Sequence, residues 1–502
     1  MAVSNSPFQL YFCGMILIHI DKTSKQPLFQ QVFEQLKQRI ESGIMQPNEH
    51  LPSTRKLAEL LGVHRTTIYR AYEELWAAGY IEATTGSYSR VRQRTQRTIQ
   101  ANDTENSRID WLNQVSENTK QLPDIHSFQK KVDSGIIDFA PLSPDSELLP
   151  VEDFRRCVNH VLLNEKADLL QYGSPLGYQP LREYLAYQMR QHGIATQTSE
   201  IMLTNGMQNG IELVFRTLTN PGDCIITETP TYKSALYLSH YLRLKVIGIP
   251  LSSEGMDLGI LESTLKSYSP KLIYTMPTFQ NPTGTSTSQA HREQLLALCE
   301  KYRIPLVEDG FEEELKYFGK AVLPIKSIDK NQVVIYLGTF SKVLFPGVRV
   351  GWIVAPTTLI EKMGSMKYIS ELSGSPLVQA AVYQFCRQGF YELHKKRLHR
   401  VYRKRMQTTL QACREFLPPA LVQWSKPDGG YLLWFSIKNS RFTEDEFLLR
   451  LLNSRVNVTP GSQFFPETTE GIHFRFSIAH RNEEEIREGI RRIAKVIEDE
   501  II

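Results

Sequence analysis

The segment Thr339-Phe-Ser341-Lys342-Val-Leu-Phe-Pro-Gly-Val-Arg349-Val-Gly351 brings two hydroxyls, one amine and one guanidinium close together, directly after the apolar run Val333-Val-Ile-Tyr-Leu-Gly. An amine condenses with an aldehyde, and a guanidinium flanked by hydroxyls holds a phosphate dianion through charge-assisted hydrogen bonds. The set suits a phosphate-bearing aldehyde, with Lys342 forming the Schiff base and Thr339, Ser341 and Arg349 taking the phosphate. Four further pieces precede it in order. Asn205-Gly206-Met207-Gln208 ends one apolar run and opens a helix carried by Ile211, Val214 and Leu218, whose first backbone N–H groups suit an anion. Tyr232 in Thr229-Pro-Thr-Tyr can stack on an aromatic ring, and Asn281 in Pro277-Thr-Phe-Gln-Asn-Pro-Thr-Gly284 offers an amide to a ring oxygen. Asp309 closes Pro305-Leu-Val-Glu-Asp and can pair with a protonated ring nitrogen. Singly, each has a plainer reading, a helix cap for Gly206 or core packing for Tyr232.

Elements that position such a set are visible around it. Ile201-Met-Leu-Thr, Cys224-Ile-Ile-Thr, Lys245-Val-Ile-Gly-Ile, Lys271-Leu-Ile-Tyr-Thr, Pro305–Asp309 and Val333–Gly338 alternate with amphipathic helical stretches. Near-continuous apolar runs of this kind fit strands buried on both faces by helices, the pattern of a mostly parallel α/β sheet. Such sheets bind ligands at their strand ends, where the polar motifs lie.

A second, smaller module precedes it. Leu28, Val32, Leu36 and Ile40 recur at a spacing of four, which predicts a helix over 28–42 ended by Gly43. Ser53 is an N-cap for a short helix closed by Gly62, and a third helix over 64–78 buries Ile68, Ala71 and Leu75. Two short strands follow around Gly86. The result is a winged helix-turn-helix whose third helix turns Arg65, Thr66, Tyr69 and Arg70 away from the core.

The chain has 502 residues, enough for about three domains. With 41% hydrophobic and 22% charged residues it is neither disordered nor collagen-like. The formal net charge is +4. Residues 21–97 hold twelve Lys or Arg against eight Asp or Glu, and residues 1–20 hold none, so the surplus of four lies in that one segment and the remainder is neutral. A surplus confined there suits nucleic acid. Six cysteines lie far apart with no C-x-x-C pair, which predicts no metal site and a reducing, cytoplasmic setting. The apolar patch over 10–20 lacks a preceding basic segment and falls short of the roughly 20 residues that cross a bilayer. Met15 is an alternative start for the chain.

The string Leu51-Pro-Ser-Thr-Arg-Lys-Leu-Ala, with Leu61-Gly-Val-His-Arg-Thr-Thr-Ile-Tyr-Arg-Ala-Tyr and Gly79-Tyr-Ile, resembles the GntR family of bacterial DNA-binding domains. That resemblance implies double-stranded operator DNA as a partner, touched by Arg55, His64, Arg65, Thr66, Thr67 and Gly86. The larger module resembles the fold-type-I pyridoxal-phosphate aminotransferases over nearly its whole length. By that resemblance the cofactor is pyridoxal 5′-phosphate, Lys342 is its catalytic attachment point, Asp309 keeps the pyridinium protonated and Asn281 bonds the ring hydroxyl oxygen. Gly206, Met207, Thr339, Ser341 and Arg349 would bind the phosphate and Tyr232 the ring. Tyr172, in Tyr172-Gly-Ser-Pro-Leu-Gly177, would reach in from a second subunit, which makes the chain a homodimer. Arg475, in His473-Phe-Arg-Phe-Ser, occupies the position that grips an amino acid's α-carboxylate. A smaller C-terminal α/β subdomain is also implied. One departure stands out: the family commonly has a tyrosine two residues after the pyridine aspartate, and this chain has Phe311.

The expected organisation is an N-terminal extension (1–20), a winged helix (21–92), a polar linker (93–134) with one amphipathic turn from Ile109, Trp111, Leu112 and Val115, and the aminotransferase-like domain (135–502). End to end this resembles the MocR family of transcriptional regulators. The resemblance implies a cytoplasmic regulator that binds DNA and senses pyridoxal phosphate, an amino compound or both. The alternative is a working aminotransferase carrying a DNA-binding head.

Overall fold

The computed structural model describes residues 10–11, 18–83, 89–93, 109–120, 122–123, 133–311, 314–320, 322–437 and 440–499. The chain divides into two units, Met1–Gln114 and Val115–Ile502.

In the first unit a short antiparallel pair, β1 (Leu10–Tyr11) and β2 (Ile18–His19), precedes helices α1 (Leu28–Glu41), α2 (Thr54–Leu61) and α3 (Arg65–Ala77). Their apolar stripes meet in one core of Val32, Leu36, Leu57, Leu61, Ile68 and Leu75. The Ser53 hydroxyl caps α2 by accepting from the Lys56 N–H at 3.3 Å, and Gly62 ends it at φ 60°, a left-handed conformation that glycine adopts without strain. The wing pairs β3 (Ile81–Ala83) with β4 (Ser89–Val91), and backbone bonds from Leu51 N–H to Ser89 O and from Val91 N–H to Glu49 O add a third edge. The expected extension does not run to residue 20. Ile18 is buried in the core, and the His19 backbone exchanges two hydrogen bonds with the Gln35 side chain, so packing begins at Ile18.

Within the expected linker, Trp111–Gln114 and Glu117–Lys120 each form one helical turn. Ile109, Trp111 and Leu112 are exposed, so the amphipathic turn buries none of these three. Asn118 instead packs as part of the large unit, donating to Tyr241 O at 3.1 Å and accepting from the Arg243 guanidinium.

The first strand of the large unit is β5 (Ile137–Asp138), and the unit is built on an eight-stranded sheet. Its order is β6 (Ile201–Thr204), β13 (Gly351–Val354), β12 (Val334–Thr339), β11 (Leu306–Asp309), β10 (Ile273–Thr275), β7 (Cys224–Thr229), β8 (Lys245–Ser252) and β9 (Gly255–Met256). From β12 to β8 the strands run parallel, while β13 lies antiparallel to both β12 and β6. Helices α4 (Met207–Leu218) and α6 (Thr357–Glu371) cover one face through Ile211, Val214, Ile360 and Met363, packed against Leu337 and Ile353. Helices Leu258–Ser267 and Gln289–Tyr302 cover the opposite face against Ile226, Ile273 and Val334. Burial on both sides explains why these strands read as unbroken apolar runs. Between β7 and β8 runs α5 (Lys233–Tyr241).

A second, antiparallel sheet forms the smaller C-terminal subdomain, in the order β14 (Val422–Trp424), β15 (Leu432–Ile437), β18 (Ile472–Ser477), β17 (Thr459–Pro460). Strand β5 pairs in parallel with β16 (Val456–Asn457), so the start of the large unit is woven into this subdomain.

One loop is held unusually tightly. The Lys367 side chain on α6 is fully buried, and its ammonium donates to Pro175 O at 3.0 Å and Leu203 O at 2.8 Å, tying the Gly173–Gly177 loop to β6. Gly177 sits at φ 97°, and a Cβ there would lie 2.6 Å from the Leu203 side chain. Gly177→Ala is therefore expected to destabilise the large unit by about 2 kcal/mol or more, read as a lower urea midpoint.

Candidate functional site

The parallel strands β7, β10, β11 and β12 deliver their C-terminal ends to one edge of the sheet, where Tyr232, Asn281, Asp309 and Thr339 follow or end them. With Met207, Ser341, Lys342 and Arg349 they line a single cleft, closed further by Leu142, Gln208, Met276 and Phe311. Residues separated by more than a hundred positions thus face one another.

At one end of the cleft lies the N-terminus of α4. Its N-cap is Gly206 at φ 82°, with no side-chain cap, so the first N–H groups of the helix offer donors and a positive dipole end. Arg349, itself left-handed at φ 49°, donates from its guanidinium to Asn205 O at 2.9 Å; a Cβ on Gly206 would lie 2.8 Å from the Arg349 guanidinium carbon. Thr339 donates its hydroxyl to Ser341 Oγ at 3.0 Å and accepts from the Ser341 N–H at 3.1 Å. Helix terminus, guanidinium and two hydroxyls make a cradle that fits a phosphate dianion. Lys342 donates from Nζ to Leu142 O at 3.3 Å, and its own carbonyl accepts from the Tyr431 hydroxyl at 2.6 Å.

Asp309 lies at the other end and is 1% exposed. Burial pushes its carboxyl up to about 7, against the opposing pull of hydrogen bonds from the Tyr274 hydroxyl (2.6 Å) and the Phe311 N–H (3.1 Å). A cation placed against it would restore the ionised form, so this end fits a protonated ring nitrogen. Asn281 accepts at Oδ1 from Arg475 at 3.1 Å, and Arg475 also donates to Ala140 O (3.0 Å) and Thr459 Oγ1 (3.2 Å) while lying over the Phe464 ring. Both ends and the middle of the cleft therefore suit the phosphate, ring and substrate of a pyridoxal-phosphate site.

Tyr172 does not line this cleft; its side chain is 83% exposed. Tyr274, Tyr431 and Leu142 are parts of the site that the motif reading missed. Tyr274 left a signal, since a tyrosine inside a strand buried on both faces must find an acceptor for its hydroxyl.

On the first unit, Arg55, His64, Arg65 and Thr66 are exposed and Thr67 is half-buried. His64 caps α3 through Nδ1, which accepts from the Thr66 N–H and bonds the Thr66 hydroxyl at 2.7 Å, while Arg65 reaches back to Thr54 Oγ1 at 3.3 Å. Arg70 stacks on the Phe29 ring at 3.9 Å, and the Glu73 carboxylate beside Tyr69 raises its hydroxyl above the usual phenol range, so both have neighbours inside the unit. Gly86 lies outside the described residues.

Comparison with known proteins covers both units. Residues 28–91 match the bacterial regulatory proteins of the gntR family and residues 142–493 match aminotransferase class I and II. The HTH-type transcriptional regulator YdcR of Escherichia coli, itself uncharacterized, is 31% identical, covering 94% of this chain and 99% of its own. The probable rhizopine catabolism regulatory protein MocR of Rhizobium meliloti is 28% identical over 89% of this chain and 90% of its own. The chain belongs to the MocR-type GntR regulators, its large unit to the class I and II aminotransferases. The kynurenine aminotransferase of Pyrococcus horikoshii, solved with PMP, superposes with a TM-score of 0.75 at 33% identity, covering 78% of the chain and 99% of its own. Enzymes of this kind match the large unit alone, whereas MocR-type relatives match both units, which favours a regulator over an enzyme.

For this MocR-type chain Asp309 makes stability depend on pH. Its folded-state value lies above that of the unfolded chain, so its contribution is full at acid pH and is lost as pH rises through about 7. Without cofactor, Asp309→Asn should be more stable than the native chain near about pH 8, by up to roughly 4 kcal/mol, and the margin should shrink towards about pH 5. Chemical denaturation at the two pH values measures it.

Proposed function

We propose that this chain is a cytoplasmic, homodimeric transcription regulator. Its large unit binds pyridoxal 5′-phosphate and an amino compound, and its winged helix holds operator DNA. The observation that carries the reading is the convergence of Lys342, Asp309, Asn281 and the Arg349 cradle in one cleft of a chain that also exposes Arg55 and Arg65 on a winged helix.

Within this reading Lys342 holds the cofactor's aldehyde carbon, the α4 N-terminus with Met207, Thr339, Ser341 and Arg349 holds its phosphate, and Tyr232 packs on its ring. The cofactor, when bound, supplies an electrophilic carbon that an amine can attack. Asp309 holds a proton on the ring nitrogen, and Asn281 orients the ring oxygen. Arg475, with its remaining donors fixed on Ala140 O and Thr459, takes the carboxylate of the amino compound. Operator affinity responds only if the effector binds one arrangement of the chain better than another. Sequencing DNA fragments captured by the purified protein, with and without pyridoxal phosphate, tests the whole reading. Sustained turnover with a keto acid, with no selective DNA capture, would instead make the chain an aminotransferase.

Two predictions separate its parts. Arg65→Ala should weaken operator binding and flatten the salt dependence by about one unit of slope, since each phosphate contact releases about one counterion. Unchanged affinity and slope would mean that Arg65 does not touch DNA. Tyr172→Phe, if the exposed hydroxyl completes a neighbour's phosphate site, should weaken pyridoxal-phosphate binding about tenfold while leaving the dimer intact by sedimentation. A monomer that keeps tight, yellow cofactor removes the two-chain site.

A further inference from the structure

Lys233 is the first residue of α5 and follows Tyr232, a wall of the cleft. Its half-buried ammonium donates to Gln463 Oε1 at 2.8 Å, and among the described residues no carboxylate forms an ion pair with it. A neutral amide offsets only part of the cost of taking an ammonium out of water. Position adds to that cost, because a cation at the first turn of a helix faces the positive end of the helix dipole.

A second cation stands close by. Gln463 belongs to the turn Gly461–Phe464, and the Phe464 ring lies under the Arg475 guanidinium, 5.1 Å from centroid to carbon. The same turn is bonded to the strand end before α5 through Thr231 N–H to Phe464 O at 2.8 Å. Lys233 and Arg475 thus flank one pair of residues, Gln463 and Phe464. Burial and the neighbouring guanidinium together bring the Lys233 ammonium down to about 8. Each adjoins a wall of the cleft, Lys233 through the preceding Tyr232 and Arg475 through its bond to Asn281, and two like charges so placed form a field that an anion relieves.

A single carboxylate engaged by Arg475 leaves the ammonium as it is, whereas a ligand with two acidic groups answers both. We propose that Lys233 is a second anion receptor of this cleft and that the effector is an amino acid with an acidic side chain, its α-carboxylate on Arg475 and its side-chain carboxylate on Lys233. The proposal rests on the reading of the large unit as a sensor of amino compounds. Lys233 is a specificity residue here, and its flexible stem allows the ammonium to swing from Gln463 to a ligand oxygen.

The test titrates the pyridoxal-phosphate-loaded, full-length protein with matched pairs, glutamate against glutamine and aspartate against asparagine, together with 2-aminoadipate and leucine. Binding is followed by the visible cofactor band and by calorimetry. At least one acidic amino acid is expected to bind about tenfold or more tighter than its neutral partner, the margin of one charged hydrogen bond. Lys233→Met should abolish that margin while changing leucine binding by no more than about twofold, and Lys233→Arg should keep it. Equal affinity for acidic and neutral partners in the native chain overturns the proposal. So does a Lys233→Met variant that weakens every amino acid alike, which would make Lys233 only a strap between α5 and the Gly461–Phe464 turn. If no amino acid moves the band or gives heat, the sensor reading itself fails, and the two failures are told apart by leucine and glutamine, which need only Arg475.

Discussion

A carboxylate at the end of a strand buried on both faces is the constraint from which the large unit's polar architecture follows. Asp309 cannot be solvated by water, so its charge depends on what neighbouring strands bring to it. Strand β10 brings the Tyr274 hydroxyl and the turn after β11 brings the Phe311 N–H. Because successive strand residues point to opposite faces, the preceding Glu308 faces away and accepts from the N–H groups of Ile325 and Lys326 at 2.7 and 2.8 Å. Two adjacent acids therefore serve two different loops.

Other buried charges act in the same way on the loops that present the site. Glu228 accepts from Thr275 Oγ1, the Met276 N–H and the Gln280 amide, which fixes the approach to Asn281. Arg292, fully buried, donates to Pro277 O, Thr278 Oγ1 and Leu323 O, and so holds the other side of that turn. Such groups stabilise little in net terms, but removing one leaves its partners unsatisfied in an apolar interior, at about 1–3 kcal/mol each. Their effect is positional: they tie both sides of the turn from which Asn281 meets Arg475.

The strands and the cleft could be read from the sequence because their signals are local. Runs such as Cys224-Ile-Ile-Thr report burial on both faces, and Asn281 and Asp309 stand beside breakers or strand ends that mark them. The direction of β13 could not be read, since Gly351–Val354 gives the same apolar run whether it lies parallel or antiparallel. Only pairing with β12 and β6 decides that. Lys367 and Lys233 were equally silent, because a lysine on a helix looks solvated until tertiary packing covers it. Phe311 was visible as a departure, and its ring is buried while its backbone N–H serves Asp309. The boundary at residue 20 missed Ile18 because a two-residue strand is too short to show a period.

The two carbonyls that occupy Lys342 and Arg475 both belong to the segment that opens the large unit. Leu142 O accepts from the Lys342 ammonium and Ala140 O from the Arg475 guanidinium, and β5 lies immediately before them. A ligand that draws the Lys342 amine to itself competes with Leu142 O for it, whereas Arg475 can keep Ala140 O on one nitrogen and meet a ligand with another. The cleft and the segment after β5 thus share a bond, and the occupancy of one bears on the mooring of the other.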